Sequence, residues 1–171
     1  MSPDKDQAIE QTPSPRRVLK DRDSIREQLA LLAAEARSEI SLFAPQLDGQ
    51  LFNTGHLSRA LASFAARQRH GQIRILVEDI AVLLRDNDRL VGLRRRLSDF
   101  IAIRQVSEEH LGMREMFLVV DHRRYLHQPD ITTPESILDT QDSHGAVMLA
   151  SRFEQWWQRS EPITQLHTVG L

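Results

Sequence analysis

Arg114-Glu115-Met116-Phe117-Leu118-Val119-Val120-Asp121 is the stretch that decides the fold. Five consecutive apolar residues stand between a charged entry and a terminal acid. A run this short, with aromatic and β-branched members, reads as a buried strand rather than a helix. Strands at Phe100 to Val106 and Arg124 to His127 flank it. Further out, Ile73 to Val77 is a strand followed at once by Glu78 and Asp79, and Glu39 to Ala44 is a strand stopped by Pro45.

Helical patterns separate these strands. Ser24-x-x-Glu27 fits a capping box, and Ile25, Leu29, Leu32, Ala33 and Ala36 follow at helical spacing. Leu57, Ala60, Leu61, Phe64 and Ala65 form the stripe of a second helix, from about Thr54 to His70 with Gly71 as its stop. Asp79 opens a mixed segment, and Asp88 to Leu97 reads as a short helix. Gly145 to Arg159 is the last helix, with Ala146, Leu149, Ala150, Phe153, Trp156 and Trp157 on one face. Asp48-Gly49 marks a turn, and Pro129 to Asp142 reads as a polar loop. The order predicts an α/β sandwich with a mixed, largely parallel sheet flanked by helices. Residues 1–21, with Pro3, Pro13 and Pro15, read as a disordered polar tail, 22–160 as the domain and 161–171 as a C-terminal extension.

Composition narrows the function. A chain of 171 residues, 40% hydrophobic and 27% charged, is one globular domain with a core of its own. The absence of cysteine excludes thiol catalysis, cysteine-ligated zinc and disulfides. No apolar run approaches the roughly 20 residues of a membrane span, and no hydrophobic signal region follows Met1. A bacterial-type cytoplasmic protein without a membrane partner is the expectation. The net charge of −2 gives no global field to attract nucleic acid.

Few residues carry a chemical signature. None of the seven histidines pairs with another at i, i+4, so no metal and no cofactor is expected. Arg94-Arg95-Arg96 reads as a solvated helix face among compensating acids, which disfavours nucleic acid as a partner, although a nucleic-acid-binding module stays an alternative. Trp156 and Trp157 read as core anchors, the alternative being that one of them is an exposed contact, because adjacent helical positions diverge by about 100°. Phosphate-loop, dinucleotide and esterase motifs are missing. The acids at strand ends are the better candidates, since ligands in open α/β sheets bind beyond the carboxyl ends of strands. These are Asp48, Glu78, Asp79 and Asp121, with Arg114 as an anion contact and Glu115 beside it.

With its elements in this order, the chain resembles one lobe of the phospholipase D-like fold over roughly residues 24 to 160. That family carries a histidine, a lysine two residues on and an aspartate seven residues after the histidine. Asp121 matches the aspartate, Arg114 stands at the histidine and Met116 at the lysine. Arg124 to His127 fits the returning strand, and the helix with Phe153, Trp156 and Trp157 looks like the closing helix of such lobes. The chain is also similar to an uncharacterised proteobacterial domain of this fold that sometimes accompanies a GNAT acetyltransferase, which implies association with an acetyltransferase. The family's histidine attacks phosphorus. Arginine stays protonated and cannot do so, and methionine cannot neutralise phosphate charge. His110 could rescue the nucleophile only by a register slip, and Gly112 then stands at the lysine position. The resemblance therefore implies a catalytically inactive lobe with a binding or regulatory role. Because the family builds its sites between two lobes, it also implies a homodimer with Arg114 near the two-fold axis. The six residues Arg114, Glu115, Asp121, Asp48, Glu78 and Asp79 are then ligand-binding or dimer-seam candidates. The alternative is a metal-dependent phosphoester hydrolase or transferase using Glu115, Asp121 and Glu78 or Asp79.

Overall fold

The computed structural model describes residues 15–167. Its eight strands are β1 (Arg16–Leu19), β2 (Glu39–Phe43), β3 (Gln72–Val77), β4 (Ile101–Gln105), β5 (Met116–Val120), β6 (Arg124–Gln128), β7 (Ser136–Asp139) and β8 (Glu161–Pro162). The helices are α1 (Arg22–Ala34), α2 (Gly49–Phe52), α3 (Gly55–Arg67), α4 (Ile80–Asp86), α5 (Asp88–Arg96), α6 (Ser143–Arg159) and α7 (Thr164–His167). All strands join one sheet in the order β1-β7-β6-β5-β2-β3-β4-β8.

The α/β class is as expected, but the sheet is not largely parallel. Only β2–β3 and β3–β4 pair in parallel; the other five pairings are antiparallel. The parallel pairs are those joined through helices, as a crossover requires. β5, β6 and β7 run as an antiparallel meander, and β1, β2 and β8 join antiparallel neighbours that are distant in sequence. An apolar run reports burial and not direction, so the sequence pattern could not distinguish the two. Segments read as polar also proved to be strands. β7 lies inside the predicted Pro129–Asp142 loop, and β1 pairs with it from the end of the predicted tail. β7 was hidden because its buried members include Ser136 and Asp139 as well as Leu138. Residues 1–14 of that tail, and 168–171 of the predicted extension, lie outside the described residues. Within the extension, β8 pairs with β4 and Ile163 and Leu166 are buried.

β5 sits between β6 and β2, which explains its unbroken apolar run. Successive side chains point to opposite faces, and both faces are covered. Met116, Leu118 and Val120 join the core under α1, α3 and α5. Phe117 and Val119 join the smaller core under α6, against Phe43, Phe153 and Trp156. Phe117 is fully buried, with ring centroids 5.6 Å from Phe43 and 6.0 Å from Trp156. Trp157 does diverge from Trp156. It is half-buried, stacked on Phe153, with the guanidinium carbons of Arg74 and Arg104 5.4 and 5.3 Å from its ring.

Caps define the helix starts. Asp21 rather than Ser24 caps α1, accepting from the Ser24 N–H at 2.7 Å and the Ser24 hydroxyl at 2.8 Å. Thr54 caps α3, Asp79 caps α4 and Asp142 caps α6. The Asp142 carboxylate also accepts from the Tyr125 hydroxyl at 2.8 Å, and burial together with that acid pushes the phenol up to about 12. Tyr125 thereby ties β6 to the start of α6.

Phe117→Ala removes the centre of the α6 core. It is expected to cost about 3–5 kcal/mol of unfolding free energy, read as a lower urea midpoint with an unchanged slope.

Candidate functional site

The sheet topology splits the six candidate residues between two ends. The carboxyl ends of β2, β3 and β4 emerge together, and because β5 is antiparallel to β2 its amino end emerges there too. Arg114, Glu115, Asp48, Glu78 and Asp79 therefore gather at one end. Asp121 lies at the other, since at about 3.4 Å per residue it is about 17 Å along the strand from Met116.

Asp121 is a backbone clamp. Its carboxylate accepts from three successive N–H groups, those of Arg37 (2.9 Å), Ser38 (2.7 Å) and Glu39 (3.0 Å), and from the Ser38 hydroxyl (2.9 Å). Asp121 and His122 both have left-handed backbones, φ 56° and 55°, and the Arg123 N–H closes the turn on the Val120 carbonyl at 3.0 Å. Burial pushes the carboxyl pKa up, but the donors from Glu39, Ser38 and Arg37 outweigh it and the net shift is downward.

At the other end each acid has a local task. Asp48 caps α2 through the Gln50 N–H and pairs with Arg22. Asp79 caps α4 through the Val82 N–H at 3.0 Å. Glu78 accepts from the N–H of Gly112 at 3.0 Å, where a φ of +78° turns the loop before β5. Arg114 is exposed and lies 3.5 Å from Asp130 and 3.4 Å from the Thr132 hydroxyl. Glu115 points to the α6 side, where it pairs with Arg152 and accepts from His127 Nε2 at 2.8 Å. Burial lowers the His127 pKa, so the ring donates as a neutral imidazole. Arg152 in turn lies over Trp156 and Phe117, at 5.0 and 5.7 Å. Glu115, Asp121, Glu78 and Asp79 are thus not brought together as paired carboxylates. Among the described residues no group of three or more His, Asp or Glu is placed to hold a metal ion.

The same end of the sheet holds a cleft of about 310 Å³, and of the six candidates Asp48 alone is among its lining residues. Ala44, Pro45, Leu47, Phe52, Met116 and Ile131 make it mainly apolar, and Arg22, Gln46, Asp48, Asp86 and Gln128 supply polar atoms. Met116 is 2% exposed and forms part of the lining. Gln128 and Arg22 had gone unnoticed in the sequence. Gln128 follows a strand as an ordinary polar residue, yet it is buried and donates to the Thr133 carbonyl at 2.7 Å. His127 and Arg152, the partners of Glu115, left no signal because they come from two separate elements.

A family model described as "Domain of unknown function (DUF7931)" matches residues 21–169, and the chain belongs to that family. No curated protein matches. Among solved structures, the chain is similar to TrmBL2, an archaeal chromatin protein described as showing a novel mode of DNA binding, at 12% identity and a TM-score of 0.66. That match covers 91% of this chain, which spans 57% of TrmBL2's length. The phospholipase D family member Nuc from Salmonella typhimurium is similar at 12% identity and a TM-score of 0.64, over 86% of this chain and 97% of that one. NucT from Helicobacter pylori is similar at 11% identity and a TM-score of 0.60, over 86% and 98%. The chain has the phospholipase D-like fold. No helix among the described residues is long and apolar enough to cross a membrane.

Asp121→Asn leaves donors facing an amide and is expected to cost about 1–3 kcal/mol, or roughly 3–10 °C in Tm. The native carboxyl has a folded pKa below its unfolded value of about 3.9. Its stabilisation is therefore present above that value and lost as pH falls through the folded pKa. Melting curves for both proteins from pH 7 to pH 2.5 should converge below about pH 4.

Proposed function

We propose that this domain is a catalytically inactive phospholipase D-like lobe that binds rather than hydrolyses, working as a homodimer in a regulatory role. The observation that carries the reading is the fate of the motif strand. Its lysine position is Met116, whose buried side chain lines the cleft. Its histidine position is Arg114, exposed beside Asp130. A cleft with a thioether in place of an ammonium has lost the charge that would hold a phosphoryl group in attack position. It has kept a concave, mostly apolar surface, the kind that binds small molecules and short segments.

The position of Arg114 supports the homodimer reading. A guanidinium held only by one exposed ion pair is free to reach across a two-fold axis, where Asp130 of a second copy gives it a reciprocal partner. Nuc and NucT, matched over nearly their whole length, are likewise single-lobe chains. An acetyltransferase acting alongside this domain would be a further partner of the same regulatory role.

Two measurements test the reading. Incubation with generic phosphodiester and phosphomonoester substrates, with and without divalent metals, is expected to give no turnover above buffer. Turnover abolished by Glu78→Gln would overturn the inactive reading and favour a metal-dependent enzyme. In light scattering at high micromolar concentration a dimer mass is expected. Arg114→Ala should shift it toward monomer with Tm almost unchanged, because an exposed pair contributes about 0–1 kcal/mol to the fold. A wild-type monomer would sink the dimer.

A further inference from the structure

We infer that the outer face of α3 and α5 is a docking surface for the phosphodiester backbone of nucleic acid, separate from the cleft. The argument begins with which arginines are neutralised. Arg16, Arg22, Arg26, Arg74, Arg85, Arg114, Arg124, Arg152 and Arg159 each stand within ion-pair distance of a carboxylate. Among the described residues, Arg17, Arg37, Arg104 and Arg123 lack such a partner at scattered positions, whereas on α3, α5 and the turn after α3 the whole set lacks one. Arg59, Arg67, Arg69, Arg89, Arg94, Arg95 and Arg96 have no carboxylate within that distance among the described residues.

The sequence provides the reason. From residue 49 to residue 77 the chain contains no acid at all. The acids expected to compensate Arg94–Arg96 are Asp88 and Asp99. Asp88 accepts from the Asn53 amide at 2.8 Å, and Asp99 stands alone beyond the end of α5. Asp23 and Glu27 of α1 flank His56 at the start of α3, and beyond them the seven arginines are accompanied by two carboxylates, a concentrated positive patch on a chain whose net charge is −2.

The patch is also organised. Arg67 is tied to the Ser63 and Ala34 carbonyls and Arg94 to His167, while Arg59, Arg69, Arg89, Arg95 and Arg96 are exposed. Arg89 and Arg96 are seven residues apart, on one stripe of α5. Arg59 and Arg89 converge from the two helices: their Nη1 atoms lie 3.3 and 3.8 Å from the point a Cβ on Gly55 would occupy. Two like charges brought together without an acid form a site that an anion completes. Ser63, Ala66 and Gly92 are the small residues at outward positions, and a Cβ on Gly92 would meet nothing within 4 Å. The guanidinium forks are therefore accessible to a rigid backbone.

The surface selects among polyanions. None of the exposed large apolar residues (Val18, Leu31, Leu84, Leu111, Val147 and Met148) lies on α3 or α5. A membrane-surface helix needs such residues to enter the bilayer, and arginine anchors at a protein interface are usually accompanied by buried Trp or Tyr, which these helices do not offer. No Phe, Tyr or Trp side chain emerges either, so unstacked bases lack a broad stacking platform. What remains is contact of arginine forks with phosphates, which positions a protein on a duplex without reading its sequence.

The test uses the full chain and a fluorescein-labelled duplex of arbitrary sequence in anisotropy titrations at several salt concentrations. Binding at low salt is expected, with log K falling against log[salt] at a slope of about −3 to −5, for three to five phosphates contacted. R59Q/R89Q/R96Q should weaken binding about tenfold or more and flatten the slope by about 2–3. R17Q/R123Q, which removes exposed arginines elsewhere, should leave both unchanged; circular dichroism melts verify that each variant is folded. An unrelated duplex should compete equally. No binding at low salt, binding that R59Q/R89Q/R96Q does not weaken, or equal binding to phosphatidylserine vesicles or polyglutamate would overturn the inference.

Discussion

The contact on which the rest of the structure depends is the Asp121 carboxylate closing over the N–H groups of Arg37, Ser38 and Glu39. These donors lie where α1 ends and β2 begins, and the acceptor lies where β5 turns into β6. One side chain thus fixes the helix exit, the first inner strand and the central hairpin relative to one another. Charge-assisted bonds to backbone N–H groups are among the stronger hydrogen bonds available. They are also insensitive to what the other end of β5 does, because the two ends are about 17 Å apart. That separation leaves the Arg114 end of the strand free to vary without disturbing the clamp. Met116 lines the cleft at that end, and Asp121 holds the sheet at the other.

β5 carries the second constraint. Its alternation places Met116, Leu118 and Val120 in one core and Phe117 and Val119 in the other. Every residue of the strand is committed to packing. Functional variation is therefore pushed to its ends, where Arg114 and Glu115 leave the sheet. Glu115 is spent on Arg152 and His127, binding the hairpin to α6. Arg114 is the member of the stretch that stays exposed.

Legibility in the sequence followed the physics of each element. α3, α5 and α6 were readable because an apolar stripe and a cap or stop define a helix locally. β5, β3 and β2 were readable as buried runs. Strand direction was not readable, since the period-2 pattern is the same in parallel and antiparallel pairs, and the largely parallel sheet was the cost of that degeneracy. β7 escaped because its ladder buries Ser136 and Asp139, whose polar groups are satisfied by local bonds such as those from Gln141 and Asp142 to Asp139. The same blindness to direction placed Asp121 with the strand-end acids. An acid after an antiparallel strand faces away from the carboxyl ends of its parallel neighbours, and no count of residues reveals that.

Net charge misleads in a similar way, because it averages over pairs that have already cancelled. Around the sheet ends and α6, arginines meet carboxylates from distant positions, such as Arg74 with Glu154 and Arg124 with Glu35. Those charges are locally extinguished and contribute little field beyond a few ångströms. On α3 and α5 the arginines have no such partners, so their field survives to the surface and is attenuated only by salt over about 8 Å at physiological ionic strength. A fold of this kind can therefore keep a nearly neutral cleft and a strongly positive helical face on one small domain. The two surfaces are built from different elements, and each can change without disturbing the clamp that orders the sheet between them.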